Sequence, residues 1–141
     1  MLKLIRARRK NGEKGQALVE FTLLVPIFLL LLFAIIDFGM GFYSWISVTN
    51  GAREGARLGV VMGTEQQIKD QVYQAVSLPN EGTKMTVTVT NAQGQPGQSV
   101  VVKVDYDYDL ITPLAGIASF VSGNAFGPTL TFSSTAEMRL E

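Results

Sequence analysis

From Ala17 to Ile36 the chain holds one ionisable residue, Glu20, in a run made otherwise of Leu, Ile, Val, Phe and Ala with Thr22 and Pro26. Wound as a helix at ~1.5 Å per residue, this run crosses ~30 Å of hydrocarbon. It is therefore expected to span a membrane. A cleaved secretory signal would have a shorter apolar core with a small-residue cleavage site after it, whereas Asp37, Phe38 and Gly39 follow Ile36 directly. Phe42, Tyr43 and Trp45 come next, amphipathic rings of the kind that settle at a membrane surface. Pro26 removes one backbone hydrogen bond from the helix, and a kink is expected there.

Charge fixes a direction for that span. Lys+Arg and Asp+Glu both number 12 over the 141 residues, yet residues 1–15 hold Lys3, Arg6, Arg8, Arg9, Lys10 and Lys14 against Glu13 alone. That is a local net of +5, which leaves −5 for the remainder. A basic cluster directly before an apolar span keeps the N-terminus in the cytoplasm and sends the following segment outward. The chain has neither cysteine nor histidine. The exported part must hold by packing without disulfides, and the commonest general base and zinc ligand are missing.

Glu20 is costly near the end of a spanning helix unless it finds a partner or the interface, on the order of 1 to 3 kcal/mol. Its neighbours run Gly15-Gln16-Ala17-Leu18-Val19-Glu20-Phe21. A Gly closing a short basic leader, an acid five residues on, then Phe and an apolar helix, resembles the type IV prepilin processing site. The local form is similar to that of TadE-like proteins, minor pilins of the tight-adherence (Tad, Flp) pilus. The resemblance implies that a membrane aspartyl prepilin peptidase cuts after Gly15 and leaves Gln16 as the new N-terminus. Glycine suits close approach by a protease. The resemblance also implies that Glu20, followed by Phe21, pairs with the terminal amine of a neighbouring subunit and so sets assembly registry; the other reading is that Glu20 snorkels to the headgroups.

A second block strengthens the likeness. Asn50, Ala52, Arg53, Glu54, Gly55, Ala56 and Arg57 match the Asn, Ala, Arg, Glu, Gly, Ala, Arg run of TadE-like proteins. Gly51, Gly55, Gly59 and Gly63 recur every fourth residue, beside Ala52 and Ala56, and form a groove for a close neighbour along a helix. Four glycines cost a helix about 1 kcal/mol each relative to alanine, so helix stability does not explain them. The groove takes either this chain's own sheet or a neighbouring subunit. Arg53 and Arg57, one turn apart, could meet Glu54 or an acid of another chain, but an exposed pair is worth only ~0.5 kcal/mol and a solvated face is the default.

Beyond the long helix, Thr64 to Ser77 reads as a second one, with Thr64 as N-cap, Gln67 three residues on, and Ile68, Val72 and Val76 at spacing four. Pro79, Asn80 and Gly82 end it. Alternation gives three strands: Met85, Val87 and Val89; Val100, Val102, Val104, Tyr106 and Tyr108; and Leu130, Phe132, Ser134, Ala136 and Met138. Asn91 to Gln98 is the adaptable loop of a hairpin. Thr112-Pro113 starts a short helix through Val121, and Gly123 to Pro128 is loop. The expected fold class is α+β: a long N-terminal helix, half transmembrane and half exported, packed against a small antiparallel sheet as in pilins. The segments are a leader (1–15), a transmembrane helix (16–37), its exported continuation (38–63) and a small α+β domain (64–141).

Asp105, Asp107 and Asp109 share one strand face. Three carboxylates could hold calcium with help from a loop, but alternate residues stand ~6.5 to 7 Å apart, wide for one ion without other ligands, so a solvated face is expected. No catalytic constellation stands out, and no cofactor, metal, nucleic acid or small-molecule substrate is expected. The resemblance implies a minor pilin that works by assembly and surface adherence. Its partners would be other pilin subunits, the pilus machinery, prepilin peptidase and membrane lipid. It would lie single-pass in the cytoplasmic membrane, N-terminus inside, or in an extracellular pilus. Two other readings are a major filament subunit and an uncleaved, membrane-anchored binding module.

Overall fold

The computed structural model describes residues 2–123 and 127–140; residues 124–126 of the expected loop, and the side chains of the basic stretch before Gly15, lie outside the described residues. The elements in order are α1 (Leu2–Val60), α2 (Glu65–Ala75), α3 (Glu81–Lys84), β1 (Met85–Thr90), β2 (Ser99–Asp109), α4 (Leu114–Ser122) and β3 (Thr129–Arg139). The chain divides into two units, Met1–Ile36 and Asp37–Glu141.

The first unit is helix. From Gly15 to Ile36 none of its side chains is buried by protein, and the helix is long and apolar enough to cross a membrane. A helix that is apolar on every side and covered on none is soluble only in a solvent as apolar as itself. Pro26 sits inside α1 without ending it.

In the second unit the three strands form one antiparallel sheet in the order β1-β2-β3. The central strand β2 points Val100, Val102, Val104, Tyr106 and Tyr108 to one face, and all five are buried. That face meets Val48, Ala52 and Ala56 of α1 and Ile68 and Val72 of α2 in a single core. Each fully buried valine or isoleucine contributes about 1.5 to 3 kcal/mol relative to exposure, so the core rests on small branched side chains packed closely. This is the expected α+β arrangement, a long helix against a small three-stranded antiparallel sheet.

The local signals explain the boundaries. Thr64 and Gln67 form a reciprocal capping box, the backbone N–H of each residue donating to the other's side chain. α2 ends at Ala75, two residues before the expected limit, because Val76 turns to extended backbone and is buried in the core. α1 ends at Val60 rather than at residue 63. Met62 N–H donates to the Gly59 carbonyl (3.1 Å) and Gly63 N–H to the Leu58 carbonyl (3.2 Å), a Schellman closure with Met62 in the left-handed region. Gly63 thus lies past the helix, in its closing turn. The stretch after Pro79 was expected only to break a helix, yet it winds into α3. Left-handed Asn80 offers its carbonyl to Thr83 and Lys84 N–H, both at 3.0 Å.

The β1–β2 loop is clamped at both sides. Gly97 N–H donates to the Leu140 carbonyl (2.9 Å), Leu140 N–H to the Gln98 carbonyl (2.8 Å), and Gln93 Nε2 to the Met62 carbonyl (3.3 Å).

Candidate assembly site

The first group of candidate residues lies in the first unit. Gly15 stands in open space, where an added Cβ would meet nothing within 4 Å. Gln16 Nε2 donates to Glu20 Oε1 at 3.0 Å, one helical turn away, and Glu20 and Phe21 are both exposed. Thr22 Oγ1 donates to the Leu18 carbonyl (2.8 Å), which tucks its hydroxyl onto the helix. Glu20 therefore has a neutral hydrogen-bond donor beside it on its own helix. Among the described residues Glu20 makes no ion pair.

The second group divides between two faces of α1. Gly51, Gly55 and Gly59 turn inward. A Cβ on Gly51 would overlap Val76, one on Gly55 would lie 2.6 Å from Val72 Cγ2 and 3.2 Å from Val102 Cγ1, and one on Gly59 would lie 2.8 Å from Val100 Cγ2. These three glycines let α2 and β2 seat against α1, with Ala52 and Ala56 fully buried beside them. Gly63, off the helix, is confined by Leu58 of its own turn. Asn50, Arg53 and Arg57 face outward and are exposed. Arg57 donates through Nε and Nη2 to Glu54 Oε2 (3.1 and 2.8 Å), an exposed pair worth at most about 0.5 kcal/mol. Among the described residues Arg53 makes no ion pair. The inward residues serve the core, and the outward ones do not.

One structural residue gave no signal in the sequence beyond ending the apolar run. Asp37 is 2% exposed. Its Oδ1 accepts from Ile111 N–H (2.9 Å) and Thr112 N–H (3.2 Å), its Oδ2 accepts from Thr112 Oγ1, and its backbone carbonyl accepts from the Tyr108 hydroxyl (3.4 Å). A buried carboxylate is costly unless its lone pairs are engaged, and here backbone amides and a hydroxyl engage them. Thr112 Oγ1 in turn accepts from Leu114 N–H (3.3 Å), so the start of α4 hangs on Asp37.

The acidic face of β2 is occupied by its own neighbours. Asp105 faces Ser133, Asp107 faces Thr131 and Asp109 faces Thr129 across the β2–β3 pair. Thr131 Oγ1 donates to Asp107 (2.7 Å), Thr129 Oγ1 donates to Asp109 (2.8 Å), and Lys84 pairs with Asp109. Lys103 pairs with Asp105 at 2.8 Å. The hydrogen bond from Lys103, then that from Ser133, holds the Asp105 carboxyl below its ordinary 3.8. Lys84 first, then Thr129, does the same for Asp109. Among the described residues no cluster of acids is arranged to hold a metal ion.

Residues 15–57 match the family model of TadE-like proteins, pilin-like proteins associated with the tight-adherence pilus. The match takes in both blocks that carry the resemblance, the Gly15-to-Phe21 stretch and the Asn50-to-Arg57 run, and stops before α2. Comparison with curated proteins and with solved structures returns no match.

Proposed function

We propose that the chain is a minor pilin of a tight-adherence pilus, processed by a prepilin peptidase after Gly15 and acting through assembly with other pilin subunits. The observation that carries this reading is the family match over residues 15–57. Two features of the molecule support it. The helix from Gly15 to Ile36 is apolar and uncovered, as a segment destined for lipid or for a helical filament must be. Asn50 and Arg53 of the shared motif are exposed and take no part in the core, which leaves them available to a partner.

In this reading the basic leader stays in the cytoplasm and the second unit is exported. Gln16 becomes the terminal residue, within one turn of Glu20. The terminal amine of an adjoining subunit then meets the Glu20 carboxylate, and each neutralises the other's charge in an apolar setting. The protein does no chemistry of its own, and surface adherence belongs to the assembled pilus.

The test is intact-mass analysis of the full chain expressed with and without a prepilin peptidase. A mass beginning at Gln16 only when the peptidase is present is the expected result; an unprocessed chain in both would favour a membrane-anchored module. With Glu20→Gln, insertion should be retained and recovery of the protein in pili lost. Normal assembly of that variant would remove Glu20 from the registry role.

A further inference from the structure

We propose that α4 and the groove beside it lie in the bilayer interface, so that the second unit makes a lipid contact of its own in addition to the spanning helix. The proposal rests on the reading of residues 17–36 as a membrane span. Four observations carry it.

The first is depth. Asp37 directly follows Ile36, the last residue of the apolar run, and therefore stands where hydrocarbon gives way to headgroups. Its carboxylate holds Ile111 and Thr112, and Leu114 opens α4 two residues later. The start of α4 is thereby tied to Asp37, the residue next in sequence after the span.

The second is composition. From Leu110 to Pro128 the sequence has no ionisable residue, although the unit around it is rich in Asp, Lys, Glu and Arg. A surface segment of a soluble domain has no reason to shed every charge. A segment laid into headgroups and acyl chains does, because each buried charge there is costly.

The third is exposure. Phe120 is 89% exposed and Ile111 62%, with Ile117 also exposed. Large apolar side chains standing out of one short helix and the turn before it mark a surface with a partner. The fourth is the groove, about 410 Å³, walled by Phe38, Phe42, Leu114, Leu130 and Phe132 and floored by Gly41. Its one charged lining group is Asp37, whose oxygens are already engaged. Such a channel suits an acyl chain, which asks for no hydrogen bond. Asp109, the acid next to Leu110, is paired with Lys84 and Thr129, so this rim presents no bare charge to lipid.

The absence of cysteine from the chain permits a direct test. Single-cysteine variants Phe120→Cys, Phe28→Cys and Thr88→Cys of the full chain are labelled with an environment-sensitive fluorophore. They are reconstituted at high dilution into phosphatidylethanolamine–phosphatidylglycerol vesicles. All three positions are exposed, so labelling leaves the fold intact. The label at Phe120 should be blue-shifted and quenched by headgroup-proximal spin-labelled lipid, while that at Thr88 is quenched by aqueous iodide alone. The Phe28 label reports the span itself. Quenching of Phe120 by iodide to the same extent as Thr88, with Phe28 still in lipid, overturns the inference and spares the span. Shielding of Phe120 from both quenchers that disappears on further dilution assigns the face to a second copy and also overturns it. If Phe28 too is reached by iodide, span and inference fall together.

Discussion

Met62 adopts a φ of 64° at the end of α1, in the left-handed region where a Cβ clashes with the backbone. The closure needs that conformation, because it brings the Met62 and Gly63 amides back to the Gly59 and Leu58 carbonyls. The Met62 side chain is 52% exposed and its carbonyl is what Gln93 uses. Met62→Gly should therefore stabilise the second unit by about 1 kcal/mol, read as a raised midpoint in chemical unfolding of the full chain. Residue chemistry of this kind was only partly legible in the sequence. The Thr64-to-Gln67 cap is a local signature and could be read directly. Asp37 could not, because its partners Ile111 and Thr112 are more than seventy residues away and only the closed fold brings them together. Gly63 belongs to the same fourfold spacing as Gly51, Gly55 and Gly59, and spacing alone does not reveal that the helix stops three residues before it.

At the scale of elements, periodicity did most of the work. The strands were legible because apolar and polar residues alternate along them, and in β2 the buried face runs without a break from Val100 to Tyr108. The short α3 was not, since Pro79, Asn80 and Gly82 are breakers by type and form a turn of helix only through the left-handed backbone of Asn80. The contact between α1 and its neighbours yields a test. Alanine at Gly55 gains about 1 kcal/mol of helix propensity. It also drives a methyl into Val72 and Val102, and overpacking of this kind costs ~1 to 3 kcal/mol. Gly55→Ala should destabilise the unit in urea titration, whereas Gly82→Ala, where an added Cβ meets nothing within 4 Å, should not. A Gly55→Ala variant as stable as the parent would show that α2 and β2 yield to the methyl.

For the whole molecule, titration brackets the range in which the second unit is stable. The carboxyls of Asp105 and Asp109 are held below 3.8, so their contribution is complete above that value and is lost as pH falls through the lowered pKa. Burial raises the hydroxyls of Tyr106 and Tyr108 above 10.0, so their contribution is complete below 10.0 and is lost as pH rises through the raised pKa. Ionisation would also remove the donors to the Pro79 carbonyl (2.9 Å) and the Asp37 carbonyl (3.4 Å). Unfolding free energy measured against pH should be level between about pH 4 and pH 10 and fall on either side. A steep change near neutrality would contradict this assignment. The core has a further property. Val100 and Val102 of β2, both fully buried, share it with Val48, Ala52 and Ala56, so the inner face of a helix made early in synthesis is covered by residues made well after it. A chain threaded across a membrane from its N-terminal side would carry the inner face of α1 bare until those residues emerged. It could shut that face only after β2 had emerged, so the emergence of that strand would be the clock for folding.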